Sequence, residues 1–388
     1  MRNPVLSRMK VLLVAMVLLV GVPGCDTAEE TPPEDPGDVD DCGGPLPVGD
    51  TPPAPEADCD AVNPAITAML EGPLQEGMDA AAAAREELLD PDTITVVTCG
   101  TGTPLPSNRA QSCTAVFAGG QFLLFDAGDG ADRSMTEWNL PVDDLQALFL
   151  THYHSDHVAD VGAVVSNSWI RGRQGPLPVY GGEGLVRVVE GFHRIYALDD
   201  TYRRAHHGEG VFPLDTEGSE QHLIEDVPPT GLEVYSVDGV TVTAYPVDHS
   251  PVAPTLGYRV EYAGHTVAIT SDTIVTEGLE HLCDGADIVV GDAMNKAFIE
   301  AMECALRQLG DDRNATFMKD IRTYHMDITE LAELADDAGV DTLVLTHLMP
   351  SVDDEMQTNL LFVAPVTDVF DGEVVVASDG DRVTLPID

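Results

Sequence analysis

The stretch LQALFLTHYHSDH at residues 145–157 constrains this chain most, because it joins a buried strand to a run of metal-binding side chains. The largely apolar segment Leu145–Leu150 predicts the strand. Side chains two apart on an extended backbone point the same way, so His152 and His154 can reach one cation. Asp156 and His157, where the chain turns, can face a second cation. The alternative is a surface loop that happens to be rich in His and Asp.

This set of side chains also indicates a type of metal and a type of reaction. Imidazole with carboxylate suits zinc, with manganese or iron as alternatives. Two ions held roughly 3.5–4 Å apart would lower the pKa of a shared water and hold an ester oxygen during its displacement. We therefore expect two divalent metal ions, Zn²⁺ first, and a hydrolase that acts through a metal-bound hydroxide.

Several motifs resemble those of one superfamily. HYHSDH is similar to the HxHxDH motif of the metallo-β-lactamase fold superfamily. The order CGTGTPLP, LLFDAGDG, THYHSDH resembles the start of ribonuclease Z and its arylsulfatase-like relatives. The resemblance covers about residues 93–388 and implies an α+β fold, a four-layer αββα sandwich. A phosphate-binding role for the glycine-rich GTGTP loop is less favoured, since it lacks the Lys of a P-loop.

The resemblance implies three further metal ligands, each at the end of a predicted strand. They are His249 in YPVDHSPVAPTLGYR, Asp272 in AITSDT and His347 in LVLTHLMP. Each of them alone could be an ordinary loop residue. Together they complete two sites, with Asp272 bridging both. The first site is His152, His154 and His249, and the second is Asp156, His157 and His347.

Two residues are candidates for catalysis. Asp156 would orient the nucleophile as well as bind its metal. His325 lies 22 residues before His347 and matches the histidine that assists phosphoryl transfer in ribonuclease Z; the rival interpretation is a surface histidine at a helix start. One departure from ribonuclease Z concerns Gly291 and Asp292, which stand where that family usually has His-Glu.

The N-terminal part of the chain predicts export. Residues 1–25 combine three basic residues, an apolar run at 11–22 and Cys25, placed as in a bacterial lipoprotein. We expect a lipid on Cys25 and attachment to the periplasmic or outer-membrane face, with cleavage alone or a retained anchor as alternatives. Residues 26–60 hold twelve acids, eight prolines and no Lys or Arg, which predicts an extended linker. A helical extension at 61–92 would precede the catalytic domain at 93–388.

Six further cysteines permit disulfides in an exported chain. The sequence-local pairing is one of 15 connectivities. It joins Cys42 to Cys59, Cys99 to Cys113 and Cys283 to Cys304.

The charge of the chain bears on the substrate. There are 67 acids against 19 Lys and Arg, a net charge of −48, and the insertion at 171–248 holds six Arg and thirteen acids. Because nucleic-acid binding depends on Lys and Arg, we expect a small-molecule phosphodiester or sulfate-ester substrate and not nucleic acid. The alternatives are a ribonuclease Z-like endoribonuclease and a non-catalytic metal- or ligand-binding lipoprotein. A homodimer is compatible with the sequence, and His206 and His207 either touch substrate at the pocket mouth or lie in a solvated loop.

Overall fold

The computed structural model describes residues 56–59, 61–352 and 356–387, with the backbone alone for 356–359. The predicted export signal with Cys25, Cys42 and most of the linker lie outside the described residues. Within the described part of the chain, no helix has both the length and the apolar character needed to cross a bilayer.

The first sheet has seven strands in the order β14-β1-β2-β3-β4-β5-β6. Strands β3 to β6 run parallel, and the pairs at the β14 edge are antiparallel. All five residues of β3 are buried, as expected for a strand covered on both faces. The strands are β1 (Thr93–Gly100), β2 (Cys113–Ala118), β3 (Gln121–Phe125), β4 (Leu145–Phe149), β5 (Leu177–Gly181), β6 (Ser219–Leu223) and β14 (Asp381–Pro386).

The second sheet mirrors the first, in the order β13-β12-β11-β10-β9-β8-β7. Its strands β10 to β13 are parallel, and β7 to β10 form an antiparallel meander. The strands are β7 (Leu232–Val237), β8 (Val240–His249), β9 (Val252–Tyr262), β10 (His265–Ile269), β11 (Ile288–Met294), β12 (Thr342–Met349) and β13 (Glu373–Val376).

Helices cover the outer faces of both sheets. The helices are α1 (Pro64–Leu88), α2 (Ala131–Glu137), α3 (Ser155–Val158), α4 (Val161–Ile170), α5 (Leu185–His207), α6 (Glu277–Cys283), α7 (Lys296–Leu309), α8 (Asp312–Ile321), α9 (Ile328–Ala338) and α10 (Met356–Val363). Helices α2, α4 and α5 pack on the first sheet, and α6, α9 and α10 on the second. Between the sheets lies a core in which Phe125 stacks on Phe149 at 5.0 Å between ring centroids. The predicted four-layer αββα sandwich is therefore confirmed.

Some local expectations were wrong. One alternative placed His206 and His207 in a solvated loop, but helix α5 continues to His207 and holds both residues. Ion pairs of Arg203 with Asp199 and of Arg204 with Glu217 hold this polar second half of α5. Helices α7 and α8 were not predicted at all; they form a hairpin with a small methionine-rich core of its own.

The cysteine pairing is right at one position and wrong at another. Cys99 and Cys113 form a disulfide. Cys283 and Cys304 are both free. Cys283, the last residue of α6, is buried in the outer core, whereas Cys304 is exposed on α7. Burial raises the pKa of the Cys283 thiol to about 12. The pair of Cys59 with Cys42 involves a residue outside the described part.

Candidate metal centre

The predicted ligands meet at one edge of the sandwich, because each follows or ends a strand that points to that edge. His152 and His154 follow β4, and Asp156 and His157 lie in the short helix α3. His249 ends β8 and His347 lies near the end of β12. Asp272 comes three residues after β10. The structure thus brings together all seven side chains from four separate segments of the chain.

The first group holds three imidazoles. His152 Nε2 lies 3.0 Å from His154 Nδ1, and His249 Nε2 lies 3.4 Å from the same atom. Each of these nitrogens and one oxygen of Asp272 lie within 4.8 Å of one another. His154 is exposed, so this group is open to solvent on one side.

The second group is deeper and fully buried. His347 Nε2 lies 3.2 Å from Asp156 Oδ2, and His157 Nε2 lies 3.6 Å from that oxygen. Together with Asp272, these atoms offer two imidazole nitrogens and two carboxylate oxygens. That is a donor set of the kind that binds zinc, iron or manganese.

One oxygen of Asp272 stands between the two groups. Its Oδ2 lies 3.3 Å from His157 Nε2 and 3.6 Å from His347 Nε2, on the side of the second group. On the other side it lies 3.9 Å from His152 Nε2 and 3.7 Å from His249 Nε2. A carboxylate oxygen surrounded by four imidazole nitrogens is placed to serve both groups at once.

Asp126 and Thr151 orient the buried His157. Asp126 Oδ2 accepts a hydrogen bond from His157 Nδ1 at 2.7 Å and another from Thr151 Oγ1 at 2.8 Å. With its proton on Nδ1, His157 presents the Nε2 lone pair to the group. Asp126 was not predicted as a functional residue, although it follows β3 at a strand end as the expected ligands do.

Asp292 orients two histidines. Its Oδ2 accepts from His325 Nδ1 at 2.6 Å, and its Oδ1 lies 3.2 Å from His347 Nδ1. Asp292 lies in β11, between the strands that carry Asp272 and His347. The sequence left its role open, and the structure gives it a definite one: His325 is buried beside the centre and is not a surface histidine.

Some nitrogen atoms of these histidines lack a hydrogen-bond partner and are placed to bind a cation instead. Nε2 of His157 is buried and, among the described residues, makes no hydrogen bond. A buried imidazole nitrogen without a partner is costly unless a ligand takes its lone pair. His249 Nδ1 is satisfied on its outer side by the Tyr324 carbonyl at 2.9 Å, which again leaves Nε2 for the centre.

The electrostatics of the two groups differ. Burial lowers the pKa of His152 well below its usual value, and the neighbouring His157 adds to this effect. Burial alone would also lower the pKa of His347, but Asp272, Asp156 and Asp292 outweigh it and raise the pKa to about 10. The first group is therefore a set of neutral imidazoles, whereas the second holds protons tightly unless a metal displaces them.

Part of the backbone at this centre is strained. Three non-glycine residues have a positive φ angle here: Asp126 at 59°, Ser271 at 64° and His347 at 49°. Such conformations cost of order 1–3 kcal/mol each and persist where the surrounding structure enforces them. The tightly paired sheet ends hold these residues in place.

A pocket of about 280 Å³ opens over the centre. Its floor includes His154, Asp156, His249, Asp272, His325 and His347. His206 and His207 are not among the residues that line it; they are exposed at the end of α5, so the expectation that they touch substrate at the pocket mouth is not supported.

Comparison with known proteins gives a consistent result. A domain described as the β-lactamase superfamily domain matches residues 122–348. Ribonuclease Z of Mycolicibacterium gilvum (strain PYR-GCK) is 34% identical over 296 residues, which cover 75% of this chain and 96% of that protein. Ribonuclease Z of Mycobacterium sp. (strain KMS) is 37% identical over 262 residues, covering 67% and 85% respectively.

Solved structures share the fold. The short form of human tRNase Z has a TM-score of 0.53 and 20% identity, over 76% of this chain and 100% of that one. The metallo-β-lactamase fold protein YhfI from Bacillus subtilis has a TM-score of 0.52 and 22% identity, with the same coverage. At these identities the likeness concerns the fold alone.

The similarity to ribonuclease Z corrects one expectation. The net charge argued against nucleic acid as a partner, and this inference was wrong, because relatives of 34% and 37% identity are named ribonucleases. A whole-chain sum counts surface acids far from the pocket, so it does not decide what binds at a centre built to hold cations.

Proposed function

Because the chain belongs to the β-lactamase superfamily and, within it, to the ribonuclease Z family of metal-dependent phosphodiesterases, we propose that it hydrolyses phosphodiester bonds in RNA with two zinc ions. His152, His154 and His249 would hold one ion and Asp156, His157 and His347 the other, with Asp272 shared. When bound, such a pair lowers the pKa of water and neutralises charge on the phosphate.

The protein's own groups then handle protons and orientation. Asp156 lies at the pocket floor, where its carboxylate can accept a hydrogen bond from the attacking water. As the water oxygen bonds to phosphorus it gives one proton to the Asp156 carboxylate, and the bond from phosphorus to the leaving oxygen breaks. His325 gives a proton to that oxygen from Nε2, while Asp292 holds Nδ1 at 2.6 Å and stabilises the charged ring.

The observation that carries the proposal is the position of Asp272 Oδ2 within 3.9 Å of four imidazole nitrogens. A protein that only binds a ligand has no need for a buried carboxylate shared between two sets of metal-binding side chains. This arrangement favours a dinuclear hydrolase over the non-catalytic alternative.

Replacing the shared carboxylate tests the proposal. Asp272→Ala should lose at least one zinc per chain and reduce cleavage of single-stranded RNA and of bis(p-nitrophenyl) phosphate to the background rate. Asp337→Ala, at an exposed position on α9, is the matched control and should keep both. Metal analysis and initial rates are the measurements. Undiminished turnover by the Asp272 variant would refute the shared-ligand assignment.

Parallel assays separate the ester classes. p-Nitrophenyl sulfate, a lactone and nitrocefin should be poor substrates beside the phosphodiesters. Efficient sulfate-ester turnover with no RNA cleavage would favour the arylsulfatase-like branch instead.

We also propose that the protein is exported and attached through a lipid on Cys25. The basic, apolar and cysteine-containing segment 1–25 supports this, and so does the buried disulfide of Cys99 and Cys113, since such bonds persist in oxidising compartments. In cells fed labelled palmitate, the full chain should incorporate label and Cys25→Ala should not. Label-free full-length protein in the cytoplasmic fraction would contradict the proposal.

A further inference from the structure

The wall of the pocket over the metal centre has a composition that the chemistry of the centre does not explain. Beside the ligands it is lined by Leu105, Ile321, Tyr324 and Met349, and by Phe317 at its rim. Among the described residues that line this pocket there is no Lys or Arg. The part of the substrate next to the scissile phosphate would therefore contact apolar and aromatic side chains and not Lys or Arg.

Phe317 differs from its neighbours in this wall. Leu105, Ile321, Tyr324 and Met349 pack together in the small core of the α7–α8 hairpin. Phe317 lies one turn before Ile321 on α8, does not belong to that core and leaves 43% of its surface exposed. A partly exposed aromatic ring at the rim of a pocket can accept a flat partner without repacking the core.

Tyr324 links this wall to the proposed proton donor. Its ring centroid lies 4.9 Å from that of His325 and 5.1 Å from that of His249. The fragment that leaves with a proton from His325 would therefore depart along the side of the pocket that Tyr324 and Phe317 form.

We infer that this wall is a stacking subsite for an unpaired nucleobase, that of the nucleotide whose oxygen leaves, with Phe317 as its platform. The inference rests on the proposed function. It specifies the substrate as single-stranded RNA next to the scissile bond, since a base in a duplex has no free face to offer. Stacking on aromatic rings suits an acidic protein, because it does not require Lys or Arg.

The test uses a short single-stranded RNA whose cleavage site has first been mapped with the wild-type holoenzyme. An abasic nucleotide is then placed on the leaving side of the mapped bond or, as a control, three nucleotides away. Removing the adjacent base should lower kcat/KM for wild type by about 5- to 150-fold, the usual range for one stacked base. The distant abasic position should have little effect.

Phe317→Ala should show the same loss on intact RNA and almost no further loss on the adjacent-abasic RNA. Phe317→Trp should restore the rate on intact RNA. Leu309→Ala is the control for surface truncation on the same hairpin, at a residue 82% exposed and absent from the pocket lining.

Two results would overturn the inference in different ways. If wild type cleaves the RNA but Phe317→Ala lowers the rates on intact and abasic RNA equally, or not at all, the subsite is wrong and the proposed function stands. If metal-loaded wild type cleaves neither RNA nor bis(p-nitrophenyl) phosphate, the proposed function fails and the subsite falls with it.

Discussion

Each buried histidine of the centre has one nitrogen committed to an outer partner and the other left for the interior. His157 is held by Asp126, His249 by the Tyr324 carbonyl and His347 by Asp292. Such outer partners fix the tautomer and the ring direction, so they affect metal binding without touching the metal. Asp292 has the widest role, because it contacts both a proposed ligand and the proposed proton donor.

We expect Asp292→Asn to lower kcat for RNA cleavage by about 10- to 100-fold with a smaller change in KM. The neutral amide is a weaker hydrogen-bond acceptor than the carboxylate for His325 Nδ1, so the ring is oriented less firmly and the loss should appear in kcat. The zinc content of the variant should be measured as well, because Asp292 also contacts the proposed ligand His347. Asp341→Asn, at an exposed position before β12, is the control. A loss confined to KM, or a loss of rate that matches the loss of zinc, would mean that Asp292 does not act through His325.

The two metal groups should respond differently to pH. In the apoprotein the pKa of His347 is raised to about 10 and that of His157 also lies well above its usual value, so both remain protonated at neutral pH. The pKa values of His152 and His249 are lowered, so both imidazoles are neutral at neutral pH. Because each displaced proton changes apparent affinity about tenfold per pH unit, the second zinc should dissociate first as pH falls from 8 to 6. Chelator competition at several pH values measures this, and equal pH dependence of the two ions would contradict it.

At the scale of secondary structure, helix α5 contains a carboxylate whose partial burial destabilises the fold. Its second half is polar and holds Asp200, with one carboxylate oxygen that has no hydrogen-bond partner among the described residues. Burial, together with the nearby Glu217 and Asp199, raises the pKa of Asp200 to about 6. The folded state therefore binds a proton more tightly than the unfolded chain, where the value is near 3.8.

Asp200→Asn should stabilise the protein at neutral pH. Because the folded pKa is the higher one, the penalty is fully present above about pH 6 and disappears as pH falls towards 4. The group is half exposed, so screening reduces the expected gain to about 1 kcal/mol at pH 7.5. Thermal melts at pH 7.5 and pH 4 measure it, with Asp337→Asn as the control. A gain of equal size at both pH values would show that the amide acts through packing.

At the scale of the whole molecule, the net charge of −48 is the dominant property. An RNA substrate and a protein of this charge would repel one another at long range. Salt screens this repulsion over a Debye length of about 10 Å at 0.1 M. Ionic strength should then have the opposite effect from that seen with basic nucleic-acid-binding proteins.

We expect kcat/KM for single-stranded RNA to rise or hold steady as KCl goes from 50 to 500 mM. A protein that neutralises six to ten phosphates loses about 10³- to 10⁵-fold in affinity between 50 and 200 mM salt. Bis(p-nitrophenyl) phosphate, with one charge, should change little and serves as the control. A steep fall for RNA would reveal a cationic groove that the average charge conceals.

The sequence by itself determined the elements that reach the centre. The apolar run Leu145–Leu150 predicted β4, and HYHSDH predicted a dinuclear centre, because ligand type and spacing on one loop are local properties. The polar end of α5 was missed, because ion pairs stabilise it and no apolar stripe marks it. Helices α7 and α8 are amphipathic, so their sequence could have predicted them.

Only the tertiary structure decided which distant groups meet. The motif resemblance implied the position of Asp272, but only the structure paired Asp126 with His157 and Asp292 with His325, and it left Cys283 and Cys304 apart. It also set Phe317 at the pocket rim. These facts depend on how two sheets pack and on where their strand ends meet. Spacing along the chain does not encode the distance between residues that belong to different elements, whether they lie tens or hundreds of positions apart.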